Sequence, residues 1–106
     1  MKTDLLAARL FQLAAQQKTI TYGALARDLG WALADLTQAL EALMAEDAAR
    51  SAPFRAALLD ARLTPGQPAN GFFLAAASLG RPLSPDQIAA ERLLLFDAAR
   101  RATSAP

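Results

Sequence analysis

The chain has 106 residues with 11 Lys and Arg against 10 Asp and Glu, so it is one nearly neutral domain of formal charge +1, too short for a multidomain machine. It holds 27 Ala, 19 Leu and two Ile but no Val, a composition rich in helix formers and poor in β-branched residues, which predicts a mainly α fold and excludes an all-β one. With no Cys and no His it cannot form disulfides, thiol nucleophiles, cysteine-ligated zinc or iron–sulfur centres, and it lacks the commonest general base and metal ligand.

In chain order, Thr3 is an expected N-cap, and Leu6, Leu10 and Leu13 recur at helical spacing with Leu5 and Phe11 widening the stripe. The first helix is expected over Asp4–Gln17, closed by Lys18. Thr21 is the next cap, and Ile20 and Leu25 have the spacing of a hydrophobic staple. The short helix that follows ends near Leu29, because Gly30 suits a left-handed terminating position. Asp35 and Gln38 have capping-box spacing ahead of Leu36, Leu40 and Leu43, so a third helix is expected over Asp35–Ala48.

From Phe54 to Leu63 the periodicity fits neither strand nor helix cleanly. Thr64–Gly71, with Pro65-Gly66, Pro68 and Asn70-Gly71, is the most turn-rich stretch and reads as a loop or wing tip. Phe72-Phe73 opens an apolar segment that ends at Gly80. Ser84 as N-cap, Pro85 at the first helical position and Gln87 at the capping-box position start a last helix running to about Arg101, with a frayed tail over Ala102–Pro106.

The second and third helices have helix-turn-helix spacing. Ala26 suits a close crossing, Gly30 the turn, and Leu25, Leu29, Trp31, Leu36 and Leu40 the apolar contacts between the pair. The run Thr21-Tyr22-Gly23-Ala24-Leu25-Ala26 with Leu29-Gly30 resembles the opening of winged-helix domains of the alkyltransferase-like, DNA-repair type. In that resemblance Pro53-Phe54-Arg55 takes the place of the family's Pro-Cys-His-Arg or Pro-Trp-His-Arg motif, Glu91–Ala98 matches its closing helix, and Tyr22 matches its DNA-contacting Tyr. The alkyl-accepting Cys and the base-displacing Arg are missing, so repair chemistry does not carry over. A second resemblance, to a family of small uncharacterised bacterial proteins, rests on the Thr-Tyr-Gly opening and Pro68-Ala69-Asn70-Gly71-Phe72-Phe73. It implies that 54–63 is a wing strand.

The expected architecture is therefore mainly α: a single winged helix-turn-helix domain over 1–106, with the helix-turn-helix at about 21–48, a small β wing at about 53–72 and a C-terminal helix at about 84–101. The expected function is a small non-catalytic DNA-binding protein, a transcriptional regulator. Thr37 and Gln38 contact bases of double-stranded DNA while Tyr22, Arg27, Arg55 and Arg62 position its backbone. The charge pattern opposes this reading, since Glu41, Glu46 and Asp47 share the third helix with Thr37 and Gln38.

The alternative is a protein-interaction module or dimeric adaptor on the same frame, using Phe72-Phe73 or the surface of Leu93, Leu94, Leu95 and Phe96, whose consecutive apolar positions cover more than one helical face. A homodimer through this last helix would also double the contacts with DNA. Catalysis is the third reading. Tyr22, Lys18, Ser78 and the carboxylates are competent for acid–base work, but no spacing brings them together, and no metal-site or phosphate-loop motif occurs, so no catalytic residue, metal or cofactor is expected. No apolar run reaches about 18 residues and Met1–Gln17 lacks the layout of a secretory signal, so the chain is expected to be cytoplasmic, without membrane association.

Overall fold

The computed structural model describes residues 2–104. The protein is mainly helical, with α1 (Lys2–Ala15), α2 (Tyr22–Leu29), α3 (Leu33–Ala49), α4 (Asn70–Ser78) and α5 (Ile88–Thr103), and two short strands, β1 (Ile20–Thr21) and β2 (Leu59–Asp60). Single 3₁₀ turns at Arg55–Leu58 and Pro85–Gln87 precede β2 and α5. The predicted stripes form the core: Leu6, Leu10 and Leu13 of α1 and Leu36, Leu40 and Leu43 of α3 are buried with Leu25, Phe54, Leu58, Leu59, Ile88 and Leu95. α1 packs on α3, α5 and the Arg55–Leu58 turn, and α2 packs on α3. Leu5 and Phe11 do not widen the buried stripe of α1; both are exposed.

The helix boundaries follow local chemistry where the residue types announce it. The Thr21 hydroxyl accepts from Ala24 N at 3.2 Å and starts α2, and Gly30 at φ 70° ends it. Gly30 N donates to Arg27 O and Trp31 N to Ala26 O, a Schellman arrangement that satisfies carbonyls the helix leaves open. α4 ends the same way at Gly80, φ 80°. The predicted capping box before α5 is present, with Ser84 N donating to Gln87 Oε1 at 2.8 Å.

Other expected boundaries move. Thr3 lies inside α1 rather than capping it, and α1 stops at Ala15 because Gln17 adopts the left-handed conformation at φ 55°, with Lys18 N bonded to Leu13 O. Ser51, also at φ 55°, closes α3 in the same manner. Asp35 and Gln38 form no capping box. The third helix begins two residues earlier, after Ala32, and places Asp35 in its positive first turn, 3.4 Å from the Lys2 ammonium. Of the expected tail over 102–106, Ala102 and Thr103 continue α5, and residues 105 and 106 lie outside the described residues.

The largest departure concerns the expected β wing over 53–72. That stretch is a 3₁₀ turn, a two-residue strand, a loop and the start of α4, and the strand pairs in parallel with β1, Ile20 opposite Leu59 and Thr21 opposite Asp60. Among the described residues there is no antiparallel hairpin. Residues 54–59 run through the interior, with Phe54, Ala57, Leu58 and Leu59 fully buried. A buried irregular segment must find partners for its backbone groups, and charged side chains supply them. Glu91 accepts from Phe54 N at 2.7 Å and Asp47 from Arg55 N at 2.9 Å. Arg81 donates to Ala52 O at 2.6 Å, and Arg92 donates to Ala57 O at 2.7 Å and Leu59 O at 3.1 Å.

Candidate functional site

An open groove of about 910 Å³ is walled by α2, α3, the loop after β2 and the start of α4. The α3 wall is Leu33, Thr37, Leu40, Glu41 and Met44, residues that share one helix face. The α2 wall is its first turn, Tyr22, Gly23 and Ala24, together with Arg27. Arg62 and Ala61 come from the loop after β2, and Ala69, Gly71 and Phe72 from the start of α4. Leu40, Met44 and Phe72, each nearly inaccessible, make an apolar floor, while Arg27, Thr37, Glu41 and Arg62 are exposed on the walls. The fold thus brings four of the residues expected to meet DNA, Tyr22, Arg27, Thr37 and Arg62, around one groove.

The two others are elsewhere. Gln38 is exposed on α3 but faces away from the groove lining. Arg55 is committed to the fold: its guanidinium lies 2.9 Å from Asp47 and 3.5 Å from Glu46, and its Nε donates to both Asp47 oxygens at 3.0 and 3.2 Å. That pairing withdraws Arg55 from backbone positioning, and it also weakens the electrostatic objection to the α3 face. Asp47 is fully buried and Glu46 has a cation beside it, so Glu41 is the acid of that helix with no described ion-pair partner.

Tyr22 is a strut more than a free contact. Its half-buried hydroxyl accepts from Ala69 N at 3.0 Å and so ties α2 to the residue before α4. Burial pushes its pKa above the ordinary phenolic value, and Asp60 pushes the same way; the hydrogen bond from Ala69 and the charge of Arg92 act in the opposite direction. The phenol is therefore neutral at physiological pH.

Charge pairing sorts the cations. Lys2, Arg9, Arg50, Arg55, Arg81, Arg92, Arg100 and Arg101 each lie within 4.0 Å of a carboxylate. Among the described residues Lys18, Arg27 and Arg62 have no such partner, and two of these three line the groove. Two guanidinium groups against the Glu41 carboxylate leave the lining one net positive charge.

The last helix divides its apolar run. Leu95 is buried and Phe96 partly buried against the core, whereas Leu93 and Leu94 are 64% and 52% exposed, so the four residues do occupy more than one face. Phe72 and Phe73 meet edge to face at 5.3 Å and belong mainly to the interior. Of Tyr22, Lys18 and Ser78, only Tyr22 lines the groove. Among the described residues no helix is long and apolar enough to cross a membrane.

No family model, curated protein or solved structure matches the chain.

Sequence reading missed the structural roles of Asp47, Glu91 and Arg92. Asp47 has the surface signature of an acid near a helix end, and Glu91 and Arg92 look like the polar face of an amphipathic helix. Their partners are backbone groups 8 to 37 residues away in the sequence, and no local pattern announces them. Glu41 was legible only as one acid among several; its isolation emerges from the pairing of the others.

Proposed function

We propose that the protein is a non-catalytic helix-turn-helix module that binds double-stranded DNA, with Thr37 of α3 toward the bases and Arg27 and Arg62 on the phosphates. The observation that carries this reading is the convergence of Arg27 and Arg62, both without a described carboxylate partner, on the groove lined by Thr37. Supporting it, the α2–α3 pair has the Thr21 cap and Gly30 turn that the motif requires. The function is that of a transcriptional regulator.

Magnitude sets the mode of binding. Each neutralised phosphate contributes about −0.9 to the slope of log K against log salt, so two cations give roughly −2 per protomer and about −4 for a dimer. Affinity from one protomer is then weak and largely nonspecific, and regulation needs a second copy. Fluorescence anisotropy with a mixed-sequence duplex over a salt series tests this. Micromolar binding at low salt with a slope near −2 or −4, abolished by Arg27→Ala with Arg62→Ala, is the expected result. No binding at low salt, or binding indifferent to both substitutions, overturns it.

A second reading, an interaction module or homodimeric adaptor, is favoured by the exposure of Leu93 and Leu94 side by side on α5. It predicts that sedimentation velocity finds a dimer that Leu93→Ser with Leu94→Ser dissociates. A monomer at all concentrations removes the dimer and leaves α5 only a heterologous partner.

A further inference from the structure

Glycine usage isolates the groove as a built feature. Gly30, Gly66 and Gly80 have φ of 70°, 86° and 80° and serve turns that an L side chain resists. Gly23 and Gly71 do not have positive φ, and both sit in the first turn of a helix, where alanine is the better residue. A Cβ added at either would meet no atom within 4 Å. Neither backbone strain nor close packing therefore accounts for a glycine at these positions. Both line the groove, on its α2 and α4 walls, and what their missing side chains leave is open space inside it.

The rest of the lining says what that space suits. At about 910 Å³ it is within the range of small-molecule sites. Its floor of Leu40, Met44 and Phe72 is apolar, and Arg27 and Arg62 on its walls lack described carboxylate partners in a chain that pairs most of its other cations. An apolar body against that floor removes hydrocarbon from water, while an anionic head reaching the guanidinium groups gains charge-assisted hydrogen bonds. A cationic head would face the same two arginines with Glu41 alone in its favour.

From this we infer that the groove is a binding site for a small amphipathic organic anion, a carboxylate with an apolar chain or ring system. The inference stands independently of DNA binding, although a ligand seated here engages the two arginines assigned above to phosphate, so the two occupants exclude one another.

Decanoate is a suitable probe, titrated calorimetrically into the purified chain in the absence of DNA, with decyltrimethylammonium as a cation of the same chain length. The expected result is saturable one-site binding of decanoate and at least tenfold weaker binding of the cation. Arg27→Gln with Arg62→Gln weakens decanoate at least tenfold, Gly71→Trp does so by filling the space, and Glu41→Gln tightens it. Leu93→Ser with Leu94→Ser leaves it unchanged, which separates the groove from the exposed leucines of α5. The arginine pair is exposed and has no described carboxylate partner, so those variants fold and keep the test decisive even where a tryptophan at position 71 disturbs α4. Absence of saturable decanoate binding, equal binding of the two probes, or wild-type affinity in the arginine double variant overturns the inference.

Discussion

Around the 52–60 segment, Asp47, Glu91, Arg81 and Arg92 are held by backbone amides, carbonyls and opposite charges, whereas around the groove Arg27, Arg62 and Glu41 meet no described charged partner. The first set replaces secondary structure: a buried, irregular stretch of chain has its polar groups satisfied by side chains from α3, α5 and the loop after α4. The second set sits over an apolar floor and does nothing visible for the fold. Both sets are carboxylates and arginines on helices or beside them, and composition cannot tell them apart. Burial and pairing do.

Substitutions that discriminate the two sets sharpen this contrast. The largest effect is expected for Asp47→Ala, which deprives Arg55 N and the Arg55 guanidinium of a fully buried acceptor. Removing one partner from such a pair costs about 3–5 kcal/mol. Urea denaturation should show a loss of that size, and a loss below about 1 kcal/mol would mean that the segment finds other partners.

Tyr22→Phe comes next, because Ala69 N loses its acceptor. The expected cost is about 1–2 kcal/mol. The raised phenolic pKa adds a test with a definite sign. The unfolded chain ionises Tyr22 near pH 10 while the folded chain holds the proton, so this contribution is fully present below about pH 10 and is lost as pH rises through the folded value. Stability of the wild type should fall more steeply above pH 10 than that of Tyr22→Phe. As the chain has a single Tyr, its alkaline absorbance titration reads the group directly, and an unshifted midpoint would contradict the burial argument.

Smaller effects are expected at the groove. Gly23→Ala and Gly71→Ala should each raise stability by about 0.4–1 kcal/mol, since helical backbone and open space make alanine compatible and the unfolded chain loses freedom. A destabilisation at either position would give that glycine a role in the fold after all. Arg27→Ala and Arg62→Ala should change stability by less than about 0.5 kcal/mol, as exposed residues without described partners do, and a drop above about 1 kcal/mol in urea midpoint analysis would place them in the first set.

Much of the framework was legible from local residue types. Thr21, Gly30, Ser84 and Gln87 announce the ends of α2 and the start of α5 because cap chemistry acts within three or four residues. Gln17 and Ser51 end helices in the same left-handed geometry as Gly30 and Gly80, but neither type signals it, so the end of α1 was misplaced. Thr3 and the Asp35–Gln38 pair had the right residue types and were not used as caps. At the candidate site, the sequence picked out Tyr22, Arg27, Thr37 and Arg62, which the fold gathers, together with Arg55 and Gln38, which it does not.

The sequence by itself determined that the chain is mainly helical, that Leu6, Leu10 and Leu13 of α1 and Leu36, Leu40 and Leu43 of α3 are buried, and that Gly30 ends α2. These rest on propensity, 3.6-residue periodicity and short-range capping, all encoded within one or two helical turns. Only the tertiary structure decided that 54–59 is interior rather than a wing, that Asp47 and Glu91 serve its amides, and that Arg27 and Arg62, without a described carboxylate partner, lie beside a groove lined by Gly23 and Gly71. The physical reason is that a charge or a glycine acquires its role from what lies within a few ångströms in space, and for these residues the neighbours come from distant parts of the chain.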